Sequence, residues 1–264
     1  MSVIKANGAG SAASDFYSYK INQSSRFNDG DSAQLSRTPG SAGNRRTWTW
    51  SGWIKRGTLG LQGIFEAKHT KDDQTALLFE TANTLLFTDR PSNNRNIDLR
   101  TTQVFRDVSA WYHIVVVVDT TQSTESNRVK IYVNGTQVTA FGTSDYPSQN
   151  YETAYWNNTE SHRLGHQQGN SANYLDGYLA EVNFIDGTAY DASNFGETKD
   201  GVWVPKSSSG LTFGNNGFYL PFDDSSAIGD DESSNTNDFT ANNLAATDVV
   251  KDSPTNNFAT MNQL

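Results

Sequence analysis

The sequence has no cysteine, and only 6 of its 264 residues are proline. The missing thiols exclude disulfide bridges, thiolate metal sites and a cysteine nucleophile, and they leave the redox compartment open. Long apolar runs are also missing. No stretch approaches the length of a membrane span, and the start, Met1 to Gly8, has no apolar core of the kind a secretion signal carries. A soluble chain without membrane insertion is the expectation. Basic residues are scarce, 20 Lys and Arg against 29 Asp and Glu for a net charge of −9. This argues against a general nucleic-acid binder, because phosphate neutralisation needs clustered cations. A sustained helical period is absent as well.

What is present is β-sheet pattern. In Trp111-Tyr112-His113-Ile114-Val115-Val116-Val117-Val118-Asp119, five consecutive β-branched residues suit a pleated surface better than a helix. Trp111, Val115 and Val117 point one way and Tyr112, Ile114, Val116 and Val118 the other, so a central strand covered on both faces is predicted. Val129, Ile131 and Val133 alternate with Lys130 and Tyr132, and Asn134-Gly135 supplies the positive φ of a tight hairpin. Trp48 and Trp50 share a strand face, with Trp53 opposite. Short strands are predicted at 33–36, 62–66, 76–80, 84–88, 97–101 and 162–165. Tyr178, Ala180, Val182 and Phe184 read as one inward face of another. Regularly spaced short strands between polar turns predict an all-β antiparallel sandwich.

Four phrases in order, 26–35, 48–55, 111–119 with 129–138, and 176–184, resemble the concanavalin A-like jelly roll in its laminin-G-like form. The resemblance covers about 25–190 and implies a fold that serves lectins, glycosidases, adhesion modules and virion proteins alike. A later run, Phe195-Gly196-Glu197, Gly201 to Lys206, Asn216 to Phe222, Asn237 to Thr240 and Asp252 to Phe258, resembles structural proteins of tailed, especially marine, bacteriophages. That resemblance implies a structural protein of the virion, decorating the head or contributing to the tail apparatus.

The expected organisation is an N-terminal arm (1–24), a jelly-roll domain (25–222) and a polar, acidic C-terminal arm (223–264). Residues 1–57 hold eight bases and three acids, whereas 222–264 hold Lys251 against eight acids. Such ends could attract between copies, and exchange of arms makes a homo-oligomer plausible.

For chemistry, the paired carboxylates of a glycosidase are not spaced in the sequence. Glu181 and Asp186, the nearest pair, fall on opposite faces of an extended strand, and Glu181 reads as solvated or as a hydrogen-bond acceptor. None of His69, His113, His162 and His166 accompanies a Gly-x-Ser-x-Gly elbow. No enzymatic activity is expected. For glycan binding, Tyr146, Tyr151, Tyr155 and Trp156 offer stacking faces beside Gln149, Asn157 and Asn158; alternatively these aromatics pin a long loop to the sandwich. No cofactor is required. Laminin-G-like domains often hold calcium near a rim, which implies Asp223, Asp224, Asp230 and Asp231, with Glu232, Asp29 and Asp31, as candidate ligands, although no calcium-loop spacing links them and an acidic solvated tail accounts for them as well. The expected partners are other virion proteins and a host-surface glycan.

Overall fold

The protein is described from a computed structural model, which covers residues 16–70, 73–167 and 173–257. Two eight-stranded antiparallel sheets face each other. In the first, the order is Thr136–Gln137, Val129–Val133, Trp111–Asp119, Thr47–Arg56, Gly177–Asp186, Ser24–Phe27 and Val249–Val250, with Phe218–Leu220 also pairing to Gly177–Asp186. In the second it is Phe141–Asp145, Ile97–Val104, Thr84–Arg90, Asp73–Phe79, Gln62–Thr70, His162–Leu164, Gln34–Arg37 and Thr240–Asn242. Among the described residues no helix is long and apolar enough to cross a membrane.

Side-chain alternation builds the core. Ile114, Val116 and Val118 enter the space between the sheets with Trp48, Trp50 and Ile54. Val115 and Val117 point outward, under Ile185, Ala192, Phe195 and Phe213. The central strand is therefore covered on both faces, because the chain from 189 to 213 packs over its outer side. Val133 pairs with Thr136, and Asn134 and Gly135 take φ 47° and 77°, the left-handed pair of a two-residue hairpin. A Cβ on Gly135 would lie 2.3 Å from the Trp203 ring. The turn is thus fixed by contact as well as by conformation.

One alternation breaks. Ala180 pairs with Trp53 but Asn183 with Ser51, so two residues, Glu181 and Val182, oppose one, Gly52, and Glu181 at the bulge has φ 51°. The bulge shifts the phase of the strand. Val182 and Phe184 reach the main core, while Tyr178 and Ala180 pack outside with Ile21, Trp53 and Trp111. The expected single inward face is two faces.

The ends do not stand apart from the sandwich. Thr240–Asn242 extends the second sheet along Gln34–Arg37, and Val249–Val250 extends the first along Ser24–Phe27. Ile228 and Phe239 are buried in the main core. Residues 223–257 thus complete both sheets rather than forming a separate arm, and their removal would open the core. The opposite charges of the two ends meet within one chain, Arg26 to Asp248 at 2.8 Å and Lys55 to Asp252 at 2.7 Å. At the N-terminal side, Ile21 is buried against Trp53, and its carbonyl accepts from the hydroxyls of Ser253 and Thr255. Residues 1–15 and 258–264, parts of the two expected arms, lie outside the described residues.

Candidate functional site

The loop from 146 to 161 carries the expected aromatics and crosses one end of the second sheet. Asp89, fully buried, organises it. Its carboxylate accepts from the Tyr151 hydroxyl at 2.6 Å, from Ala154 N at 3.2 Å and from the Thr75 hydroxyl. Burial pushes the Asp89 carboxyl up, against these donors, which favour its charged form. Thr75 Oγ1 also accepts from Tyr155 N at 3.1 Å, and Thr120 Oγ1 donates to Tyr151 O at 2.7 Å. The loop is therefore laid down by backbone contacts to two sheet residues rather than by its own secondary structure.

The four aromatics separate. Trp156 is fully buried, with ring centroids 4.6 Å from Phe65, 5.1 Å from Trp48 and 5.4 Å from Phe87. It has no face to offer a sugar, because the four-residue hydrophobic contact that buries it is the centre of the core. Tyr146, Tyr151 and Tyr155 are half-buried and pack against the same core. Beside Tyr146 and Tyr151 opens a basin of about 480 Å³ that is also lined by Arg95, Asn96, Glu125 and Asp145. The Tyr151 hydroxyl accepts from Asn96 Nδ2 at 2.9 Å while it donates to Asp89. Burial first, and then the nearby Asp89, raises its phenol, which therefore stays a donor. The basin joins two rings to guanidinium, amide and carboxylate groups, the mixture of stacking faces, donors and acceptors that a polyol requires.

The acidic candidates do not converge. Asp231 is buried, and its oxygens accept from Tyr219 N at 2.8 Å, Asn237 N at 2.8 Å, and Ser233 N and Oγ at 2.9 Å each. These donors tie down the 231–237 loop and occupy the lone pairs that a cation would use. Asp224 caps its own turn through Ser226, whose hydrogen bonds lower its carboxyl. Asp223 and Asp230 are exposed. Among the described residues no three His, Asp or Glu side chains are grouped to hold a metal ion.

A second cleft, about 260 Å³, lies over the bulge and is lined by Tyr19, Glu181, Tyr219, Asp223 and Glu232. Glu181 is not solvated: it is 6% exposed and accepts from the hydroxyls of Tyr19 at 3.0 Å and Tyr219 at 2.8 Å. Burial drives its carboxyl up to about 7, against the two phenols that favour the anion. The bulge that aims Glu181 outward leaves no sequence signal, since a glutamate at positive φ follows from tertiary packing alone.

Beneath it, Ser51 and His113 are hydrogen-bonded at 2.9 Å and both are buried. The Trp203 indole N–H donates to His113 Nδ1 at 3.1 Å. That tautomer puts the proton on Nε2, so the imidazole donates to Ser51 and cannot take its proton. A nucleophile–base pair needs the reverse arrangement, with an acceptor at Nδ1. Burial also holds His113 down to about 3 and His162 and His166 each to about 4, so all three are neutral near pH 7. His69 is exposed and sits 3.2 Å from Glu160.

Residues 27–192 match the concanavalin A-like lectin/glucanases superfamily. That is more than half of the chain, and the chain belongs to this superfamily. Several solved structures are similar to it. A heptameric SAP-like pentraxin from Limulus polyphemus is 16% identical, with a TM-score of 0.46 over 65% of this chain and 79% of its own. A putative carbohydrate binding protein from Bacteroides ovatus is 16% identical, with a TM-score of 0.47 over 86% of this chain and 61% of its own. The mouse laminin alpha1 chain, domains LG4-5, is 12% identical, with a TM-score of 0.42 over 65% and 46%. The chain thus spans less than two thirds of the last two. No curated protein matches it.

Proposed function

We propose that the protein is a non-enzymatic carbohydrate-binding module whose contact surface is the Tyr146–Tyr151 basin. The basin itself is the observation that carries this reading: two half-buried rings held by the core, with Arg95 and Asn96 as donors and Glu125 and Asp145 as acceptors around one open hollow. The rings are held before a ligand arrives, so binding costs little ordering entropy. Two features favour binding without turnover. Both oxygens of Glu181 are occupied by tyrosine hydroxyls, and the Ser51–His113 pair is buried in the unproductive tautomer.

Screening the intact chain on a glycan array, followed by calorimetry on any hit, tests the proposal. Tyr146→Ala should weaken a hit about tenfold, ~1.4 kcal/mol, with only a modest fall in melting temperature, because the ring is half-buried against the core rather than enclosed by it. A hit of unchanged affinity in that variant would place the glycan elsewhere. The run within 195–258 that resembles tailed-phage structural proteins supports a virion surface as the place of action, with a host glycan as ligand and other virion proteins as neighbours. Antibody labelling of purified particles would locate it.

A further inference from the structure

We propose that the binding surface is not one basin but a track along the rim of the second sheet, running from the Tyr146 basin to a trough floored by Arg37, and that its ligand is an extended oligosaccharide bound at both ends. This rests on the carbohydrate-binding reading and specifies the ligand's size.

The register of the sheet places both hollows at one edge. Arg37 pairs with His162, His162 with Ala67, Ala67 with Thr75, Thr75 with Asp89, and Asp89 with Ile97. These six residues form one row across six neighbouring strands. Asn96, in the basin, precedes Ile97; Thr38 and Ser161, in the trough, lie just beyond Arg37 and His162 on the same side. Strands are spaced by about 4.8 Å, so five steps separate the two by roughly 24 Å. That gap is several sugar units, too long for a monosaccharide and natural for a short chain.

The loop that links them follows the same edge of the sheet. Tyr151 stands over Asp89, Tyr155 N bonds Thr75, and Asn157 N donates to His162 Nε2 at 3.1 Å. Residues 151 to 161 therefore follow the row step by step, and the half-buried Tyr155 and Asn158 fall between the two hollows.

The trough has the features of a built terminus. It encloses about 520 Å³ and its lining is polar, with Ser36, Arg37, Ser161, Asn237, Asp238 and Thr240. Arg37 is half-buried and shares Leu35's face of its strand, which turns it toward the interior at the open end of the sandwich. Among the described residues it forms no ion pair, and its one hydrogen bond goes to Asn237 Oδ1. A guanidinium has five donors, so four remain for a ligand. Burial pulls its pKa down and the fields of Asp231 and Asp238 oppose this, so the cation is balanced at a distance rather than clamped. The facing wall is rigid, because Asp231 and Asn237 fasten the 231–238 loop to Tyr219 N and to the carbonyls of Asn215 and Gly217. A fork of donors beside amide, carboxylate and hydroxyl acceptors matches the vicinal hydroxyls of a sugar.

Cello-, malto- and manno-oligosaccharides from the monosaccharide to the hexasaccharide, titrated calorimetrically into the intact chain, test this. In the series that binds, affinity should climb about a hundredfold between trisaccharide and hexasaccharide, as expected when a second contact becomes intramolecular. Arg37→Gln should return the hexasaccharide to the affinity of the trisaccharide. Thr38→Trp, at an exposed position, should do the same by filling the trough, and it guards against a folding defect in the arginine variant. Binding without a length gain, or a gain that survives both variants, overturns the track and leaves the single basin intact. Absence of binding in every series, together with no hit on the glycan array, removes the carbohydrate reading itself, and the track with it.

Discussion

Trp156→Ala should destabilise the protein by about 3–5 kcal/mol, the usual cost of emptying a tryptophan-sized site in a packed core. The ring is fully buried among Trp48, Phe65 and Phe87, and it bridges the two sheets at the point where the 146–161 loop enters the core. Neighbours of that size cannot collapse into the space, because Trp48 is itself held by its indole hydrogen bond to Thr153 Oγ1 at 3.1 Å. The same loop carries the basin, so loosened packing would reach Tyr151 and Tyr155 through Thr153 and Ala154. Urea unfolding of the variant beside Tyr146→Ala separates the roles. Trp156→Ala should lose most of its stability and Tyr146→Ala only a modest part. A Trp156→Ala protein of wild-type stability that fails to bind glycan would show the ring to be a ligand platform after all, contrary to its burial.

The contrast between these two aromatics marks what the sequence could convey. The central strand, Trp48 and Trp50 on one face, and the Asn134-Gly135 hairpin were all legible, because each depends on residues within a few positions of one another and on periods of two. The bulge was not. A period-two reading of Tyr178, Ala180, Val182 and Phe184 is correct on either side of Glu181 and fails only in phase, since a single residue at φ 51° reverses every side chain beyond it. The C-terminal strands were hidden for a different reason. Thr240–Asn242 and Val249–Val250 are three and two residues long and find their partners, Ser36 and Ser24 among them, over two hundred positions away. Strands of two or three residues have no period to detect, and only the existing sheet edges select them.

For the candidate site, the aromatic loop was legible as a cluster, but which ring faced water was not. Tyr151 and Trp156 differ in exposure because Asp89 captures one hydroxyl and Phe65 and Phe87 enclose the other ring, and these partners come from separate strands. Arg37 carried no signal at all. Its sequence neighbours, Ser36 and Thr38, are ordinary for a polar strand end, and its importance follows from the row of cross-strand pairs that places it opposite His162.

Glu181→Gln should stabilise the protein at alkaline pH by about 2 kcal/mol and leave it nearly unchanged at pH 5. The folded carboxyl is raised to about 7 from its ordinary value of 4.5, chiefly by burial. The folded state therefore holds a proton that the unfolded chain releases between these values. Stability from this group is fully present below about 4.5 and is lost as pH rises through 7, when a charge must be accommodated away from water. A shift of this size corresponds to ~3 kcal/mol across the window. Glutamine is neutral throughout and removes that loss, while it gives back about 1 kcal/mol by accepting from one phenol where the carboxylate accepted from two. Tyr19 is raised to about 12 and Tyr219 further, both first by burial, so neither phenol ionises in the range. The like charge of Asp223 is a smaller part of the same rise. The buried histidines contribute their own dependence to both proteins and cancel in the difference. Guanidinium unfolding of wild type and variant at pH 5, 7 and 8.5 gives that difference directly. It should be near zero at pH 5 and grow through neutrality, and a variant less stable than wild type at pH 8.5 would mean that the two tyrosine hydroxyls fully compensate the buried charge.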